Sequence, residues 1–315
     1  MNVSQQTATL LETAMGSRAA ARELLTALGM PFIPGKVYFV QSTSAQVSDS
    51  NPGTVKNYPL ATIAKALELV AALTSPTNAG HVIFVLPGHA ESFATDLDIT
   101  TSHNGVSIIG IGVGESRPIL TFTATGAKVD IDGANIRFSG FVLKNDVDSQ
   151  TVMIDVDGAD CIIEGNEILE GSSKQCLIGI DLAADRPIVR NNYIKSVTAG
   201  ADSGIKISAA IDRAHILDNE IFGDFSDAAI HNPTSAVATR LLIKGNCLTN
   251  LQSGDHAIEL VSACTGNIEF NTVNSTLSAV GTKTAIDPGS CYCNENYGSD
   301  GVGDVSGVIN PALDA

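Results

Sequence analysis

Asparagine returns along the second half of this 315-residue chain at nearly constant intervals: Asn166, Asn192, Asn219, Asn246, Asn271 and Asn296, separated by 26, 27, 27, 25 and 25 residues. The local frames are alike, as in Ile-Glu-Gly-Asn-Glu-Ile, Val-Arg-Asn-Asn-Tyr-Ile and Ile-Lys-Gly-Asn-Cys-Leu. A fixed period in the twenties marks a solenoid, in which each repeat buries its apolar face only against its neighbours. Functional groups are then to be sought on the outside of a rod.

Three aliphatic columns keep the same beat. Val129, Ile154, Ile180, Ile205, Ile230, Ile258 and Ile286 are 25, 26, 25, 25, 28 and 28 residues apart, and each opens a short apolar/polar alternation. Three positions before the asparagines stand Ile163, Val189, Ile216, Ile243, Ile268 and Cys293, and two after them Ile168, Ile194, Ile221, Leu248 and Val273. Alternation over a few residues is a strand with one buried face. One period therefore holds about three short strands broken by Gly, Asn and Asp, with no helix between them, which is one turn of a parallel β-helix. The asparagines are expected at a tight bend, in the left-handed backbone conformation that Asn tolerates, with their amides bonded from turn to turn. They are read as a structural ladder, not as functional residues.

A core of stacked aliphatics needs little aromatic bulk, and the chain has 5 % aromatics and no tryptophan against 44 % hydrophobic residues. A net charge of −16 makes nucleic acid a poor partner. No run is apolar enough to span a membrane, and the polar opening Met-Asn-Val-Ser-Gln-Gln is not read as a secretory leader. The cysteines, Cys161, Cys176, Cys247, Cys264, Cys291 and Cys293, lack paired metal-ligand spacing, so reduced thiols, a cytoplasmic folding environment and no metal or cofactor are expected.

Four segments are expected. Residues 1–35 form an N-terminal helix or arm, with Leu10, Leu11, Ala14, Ala21, Leu24, Leu25 and Leu28 on one stripe over 5–28 and Gly29, Pro31 and Pro34 ending it. Such an appendage either docks on a neighbour or lies on its own domain; Leu10, Leu11, Leu24, Leu25 and Leu28 are the expected partner contacts. Residues 36–104 are a capping region, with a strand over 36–41, a helix from about Pro59 to Leu73 and an apolar strand over 81–86. The helix would cover the bore and open edges of the first turn. Residues 105–300 are the coil. Residues 301–315 lose the period and are expected to run as an extended tail over the last turn.

The segments Asp49-Ser-Asn-Pro-Gly-Thr, Tyr58-Pro-Leu-Ala-Thr-Ile and His81-Val-Ile-Phe-Val-Leu-Pro-Gly-His-Ala-Glu resemble the opening of pectin-lyase-like right-handed β-helix proteins. The Val-Leu-Pro-Gly-His-Ala-Glu form is similar to β-helix proteins of tailed-phage structural modules. Over roughly residues 36–300 the resemblance implies an all-β solenoid, a single-stranded right-handed parallel β-helix, with the N-terminal helix and helical cap added to it.

Many such proteins cleave polysaccharides. One position after the isoleucines lies an outward column, Asp130, Asp155, Asp181, Lys206, His231, Glu259 and Asp287. On adjacent turns Asp130, Asp155 and Asp181 would stand roughly 5 Å apart, near the spacing of glycosidase carboxylates and of Ca²⁺ ligands, and they are the only catalytic candidates. A solvated strand face explains the same column. The resemblance also supplies tests that fail: no arginine stands among paired aspartates as in the lyases, and the polygalacturonase pattern is absent. Aromatic platforms for sugars are sparse, with Phe222 and Phe225 the one candidate patch. Gly110-Ile-Gly-Val-Gly114 lacks the following helix of a phosphate loop and reads as a bend. His215 and His231 are candidates to meet on neighbouring turns.

The expectation is a non-enzymatic virion protein of a tailed bacteriophage, a capsid decoration or cement protein. It would be a homotrimer bound to the major capsid protein and assembled in the host cytoplasm. The alternative is a tailspike or fibre that binds or cleaves host surface polysaccharide.

Overall fold

Each period closes into one turn of a coil made of three strands. In one representative turn these are Ile162–Glu164, Glu167–Leu169 and Cys176–Leu182, and the next turn begins at Ile188–Arg190. The structure is a computed structural model and describes residues 35–73, 80–171, 173–233, 235–276, 285–299 and 306–308. Strands stack in parallel into a first sheet of ten members, from Val37–Val40 to Tyr292–Asn294, and into second and third sheets joined at a corner. In two turns the second and third strands run on without a break, as Tyr193–Ile207 and Glu220–His231. The result is an all-β right-handed parallel β-helix of about eight turns.

The aliphatic columns align in register. Ile154, Ile180, Ile205, Ile230, Ile258 and Ile286 pair in succession. So do Ile163, Val189, Ile216, Ile243, Ile268 and Cys293. All are buried except Cys293, which is half-buried against the same core. Each such isoleucine contributes about 1.5–3 kcal/mol by leaving water. One position before the third-sheet isoleucines the side chains shrink to Gly179, Gly204, Ala229, Ala257 and Ala285, because there the second sheet presses closest. A Cβ on Gly204 would lie 2.5 Å from Ile221 Cγ2 and 2.8 Å from the Ala229 carbonyl oxygen.

The ladder asparagines are 0–2 % exposed. Asn219 is typical. Its backbone N–H and its Nδ2 donate to Asn246 Oδ1 at 2.9 and 3.0 Å, and Nδ2 also donates to the Val189 carbonyl at 2.9 Å. Its own Oδ1 accepts from Asn192 N–H and Nδ2, both at 3.0 Å. The expected left-handed backbone is displaced by one residue. The residue before each asparagine adopts it, with φ of +63° at Gly165, +54° at Asn191, +52° at Asp218, +71° at Gly245, +58° at Phe270 and +50° at Glu295. That reversal swings the following asparagine inward, where its amide reaches the backbone of the preceding turn and the asparagine side chain of the next. One turn before Asn166 the ladder place is held by Phe141, whose N–H donates to Asn166 Oδ1 at 3.1 Å and whose ring stacks on Phe138 at 4.5 Å.

The coil's first end is closed twice. Helix α1, Ile63–Ala71, turns Ile63, Ala66, Leu67 and Val70 into the bore. Segment 53–60 satisfies the open edge of the first strand: Phe39 N–H donates to the Gly53 carbonyl, and Leu60 N–H to that of Phe39. The helix begins later than the expected Pro59. Thr62 is its N-cap, accepting from Lys65 N–H at 3.1 Å, and Asp49 holds Ala61 and Thr62 N–H in the extended approach. At the other end Ser306–Val308 pairs antiparallel with Tyr297–Ser299, so the described part of the tail covers an edge of the last turn. The expected N-terminal helix, with Leu10, Leu11, Leu24, Leu25 and Leu28, lies outside the described residues.

Asn219→Ala would orphan buried donors on Asn192 and the Val189 carbonyl and should cost about 2–4 kcal/mol in denaturant unfolding. Glu295→Gly should instead stabilise by about 1 kcal/mol, since it relieves an exposed side chain from a left-handed backbone. Equal midpoints for Asn219→Ala and the parent would refute the ladder's structural role.

Candidate functional site

The outward column is in register as the alternation requires, and it begins one turn earlier than the sequence reading placed it. Asp98 pairs with Asp130, Asp130 with Asp155 and Asp155 with Asp181, after which Lys206, His231, Glu259 and Asp287 continue the file. Leu97-Asp-Ile99 repeats the Val129-Asp-Ile131 pattern, but the 32-residue interval between them hides it from a search at the main period. Asp157, two residues past Asp155, and Asp132 widen the acidic strip.

Four stacked carboxylates repel one another, and one buried-stem lysine relieves the centre. Lys128 Nζ lies 2.5 Å from Asp155 Oδ2 and 3.3 Å from Asp130 Oδ1. Partial burial works against its charge, yet the hydrogen bond to Asp155 and the charges of Asp155 and Asp130 outweigh it and raise its pKa. The carboxyls respond to their own desolvation. Asp130 is raised by burial and by Asp132 and Asp155, against the pull of Lys128. Asp157 is raised by burial and by Asp155, Asp130 and Asp132, and Asp181 by burial and Asp155, despite a hydrogen bond with Ser208.

Two trios, Asp96, Asp98 and Asp130, and Asp130, Asp155 and Asp157, each bring carboxylate oxygens within 4.8 Å of one another. The donor type suits a hard cation such as Ca²⁺. In the second trio the Lys128 ammonium already supplies the positive charge, and in the first Asp96 Oδ1 accepts from Lys128 N–H at 3.1 Å.

Among the described residues every arginine is in an ion pair elsewhere: Arg117 with Glu167, Arg137 and Arg190 with Glu164, Arg186 with Asp160, and Arg213 and Arg240 with Asp212. Most of them line the first sheet and the corner leading into it. Phe225 is 1 % exposed, and its N–H donates to Asn250, so Phe222 and Phe225 form no surface patch. The expected meeting of His215 and His231 does not occur: His215 pairs with Ile188 and Leu242 in the first sheet, His231 with Lys206 and Glu259 in the third. Gly110–Gly114 is a bend, as expected, where the Gly140 carbonyl passes too close to Gly110 for any Cβ.

A family model described as "Protein of unknown function (DUF1565)" matches residues 45–290, from the loop after the first strand to the last full turn. The chain belongs to the DUF1565 family. No curated protein matches the sequence. The matched stretch of this DUF1565 protein takes in α1, the ladder up to Asn271 and the whole outward file from Asp98 to Asp287, so the family signature coincides with the coil.

The strip also gives the chain a pH signature. A carboxyl whose folded pKa is raised binds its proton more tightly when folded, so stability rises as pH falls from above the folded pKa toward the unfolded value. Asp160 and Asp212 are lowered by hydrogen bonds to Arg186 and Arg240, and their contribution disappears only as pH falls below the ordinary carboxylate range. Buried His81 and His103, whose pKa values burial lowers, work the other way and lose stability as pH falls through the ordinary imidazole range, so the carboxyl effect is read as a difference between variant and parent. Asp181→Asn should raise the melting temperature at pH 7, with a gain over the parent that shrinks as pH falls into the ordinary carboxylate range; no gain at pH 7, or a gain that does not shrink, would contradict this assignment.

Proposed function

We propose that this DUF1565 protein is a non-enzymatic structural protein of a tailed-phage virion, a decoration protein that coats the head and associates as a homotrimer on the major capsid protein. The observation that carries the non-catalytic part is the commitment of the chain's charges to one another. The acidic file holds its own ammonium, and every described arginine is paired along the rod. Such groups stiffen a surface, and among the described residues they are spread along the rod and do not converge as acid, base and electrophile on one point.

The outer face of the first sheet supports lateral association. Ile162, Ile188, His215 and Leu242 follow one another there, half-exposed, an apolar file broken by one histidine and flanked by the Arg137–Glu164–Arg190 and Lys244–Glu269 ion pairs. An apolar strip with a polar rim suits packing of parallel rods about a symmetry axis. A protein that binds an assembled shell and not its free subunits stabilises that shell by mass action. The phage setting rests on the resemblance of the Val85-Leu-Pro-Gly-His-Ala-Glu91 segment.

Densitometry of purified particles should give hundreds of copies per virion, and light scattering should give three times the 32.6 kDa chain mass. A few to some tens of copies, together with reducing sugar released from host capsule or lipopolysaccharide, would instead establish a tailspike.

A further inference from the structure

Of the three corners in each turn, the one between the first and second sheets keeps a constant length. Two residues, the left-handed one and the ladder asparagine, join the strands there in each turn from Gly165-Asn166 to Glu295-Asn296. The corner from the third sheet back to the first is four residues long after Asp287, five after Leu182 and seven after Ile207. At the remaining corner the strand register breaks between Ser196 and Ser203. Within the described residues, the tight corner and the two sheets beside it therefore form a straight strip free of loops. Phe270 stands out on that corner. Gly, Asn, Asp or Glu holds the left-handed place in the other turns, but Phe270 sets a ring there at φ +58° and leaves it 45 % exposed, with Lys244 Nζ 4.9 Å from its centroid. A left-handed backbone strains any residue that has a Cβ, and an exposed ring forgoes its burial, so a single rod gains from neither.

Resting on the trimeric reading above, we propose that second copies of the chain cover this strip. Three rods stand parallel with the tight corner toward a threefold axis, and the first sheet of each packs on the second sheet of the next. A ring of three is heterologous, so each copy must offer two different faces, and faces that flank one corner close such a ring. The axis keeps equivalent turns at equal height. Ile162 then meets Leu169 of the next copy, Arg190 meets Tyr193, and His215 meets Phe222; all six are half-exposed on outward files of the two sheets. These are an aliphatic contact, a guanidinium on a ring and a pair of rings. Glu220 makes no ion pair among the described residues and comes within one turn of Arg190, which gives its Nε to Glu164 and has its outer nitrogens left for a partner. The three copies of Phe270 converge at the axis, which recovers the burial that one rod forgoes. Asp218 and Glu295, the acids of the same corner, leave their heights of the axis to water.

Two measurements on the full-length chain test this contact. Phe270→Gly should keep the coil's circular dichroism, because Gly suits the left-handed backbone, yet its trimer should dissociate at about tenfold higher concentration than the parent's in light scattering. A dissociation curve like the parent's would overturn the proposal. In a Cys247→Ser background, which removes the exposed free thiol, Ile188→Cys combined with Lys195→Cys is treated with a short bismaleimide. Covalent dimers and trimers on a denaturing gel from the double variant, and from neither single variant, support the proposal. A trimeric mass with cross-links in a single variant, or with none in the double, overturns the sheet-to-sheet contact and leaves the trimer standing. A single-chain mass for the parent overturns both.

Discussion

A coil with three corners per turn must bury turning backbone, and buried N–H and C=O groups demand partners. The Asn amide meets that demand at the corner between the first and second sheets. It is one of the few side chains that donates and accepts at once, and its reach spans one strand spacing upward and one downward. Much else follows from placing it there. The residue before it must reverse into the left-handed region, which explains glycine at 165 and 245 and the short polar Asn191 and Asp218 between them. The aliphatics three before and two after are then forced to face the bore. Where the ladder stops, at Phe141, a stacked ring pair and the guanidinium of Arg117 take over. Arg117 donates to the Phe141 and Gly165 carbonyls at 2.8 and 2.5 Å and pairs with Glu167, tying three turns together.

The outside of the rod is sorted by the same repetition. A stacked file multiplies whatever residue occupies it, so a carboxylate column must import a counter-charge, tolerate raised pKa values, or end. All three happen between Asp98 and Lys206: Lys128 enters from the same strand as Asp130, the buried carboxyls titrate upward, and Lys206 terminates the acidic run. On the first sheet opposite charges meet on neighbouring turns instead, Glu164 beside Arg190 and Lys244 beside Glu269, while Arg137 reaches Glu164 diagonally from two positions off that file. Both outcomes relieve a surface of its own repulsion.

Much of this was legible in the chain because stacking converts spatial register into sequence period. The Asn166 to Asn296 spacing and the isoleucine columns gave the turn, its three strands and the Asp130–Asp155–Asp181 alignment. What escaped lies where the period carries no information. The start of α1 depends on Thr62 and on Asp49, a side chain from a preceding loop. Asn145 and Asn250 share one column, four residues past the ladder position, but Glu170, Ser196 and Gly223 stand between them, so no run of asparagine marks it; each bonds an irregular loop, as Asn250 does to the His256 and Phe225 carbonyls. Lys128 was hidden because its partner Asp155 is 27 residues away, although its position two before Asp130 on the same strand face was visible. His215 and His231 were paired by counting residues when the corners put them in different sheets.

The ladder also has a direction, and direction shapes how the coil holds together. From Asn166 to Asn271 each ladder asparagine sends its backbone N–H and Nδ2 toward the next Oδ1, and Nδ2 reaches back to a carbonyl of the preceding turn, as Asn296 Nδ2 also does. Each amide therefore has its partners only when both neighbouring turns are in place. In a nearest-neighbour solenoid this adds to the interface term rather than to the stability of a single turn. A turn cannot then open at the middle of the rod without orphaning amides above and below, while the two ends, which lack one neighbour, are the natural places for opening. That is where the chain invests its irregular structure: α1 and the 53–60 edge segment at one end, and the antiparallel Ser306–Val308 strand at the other. The regular middle is carried by repetition, and the non-repeating residues are spent where repetition has no neighbour to act on.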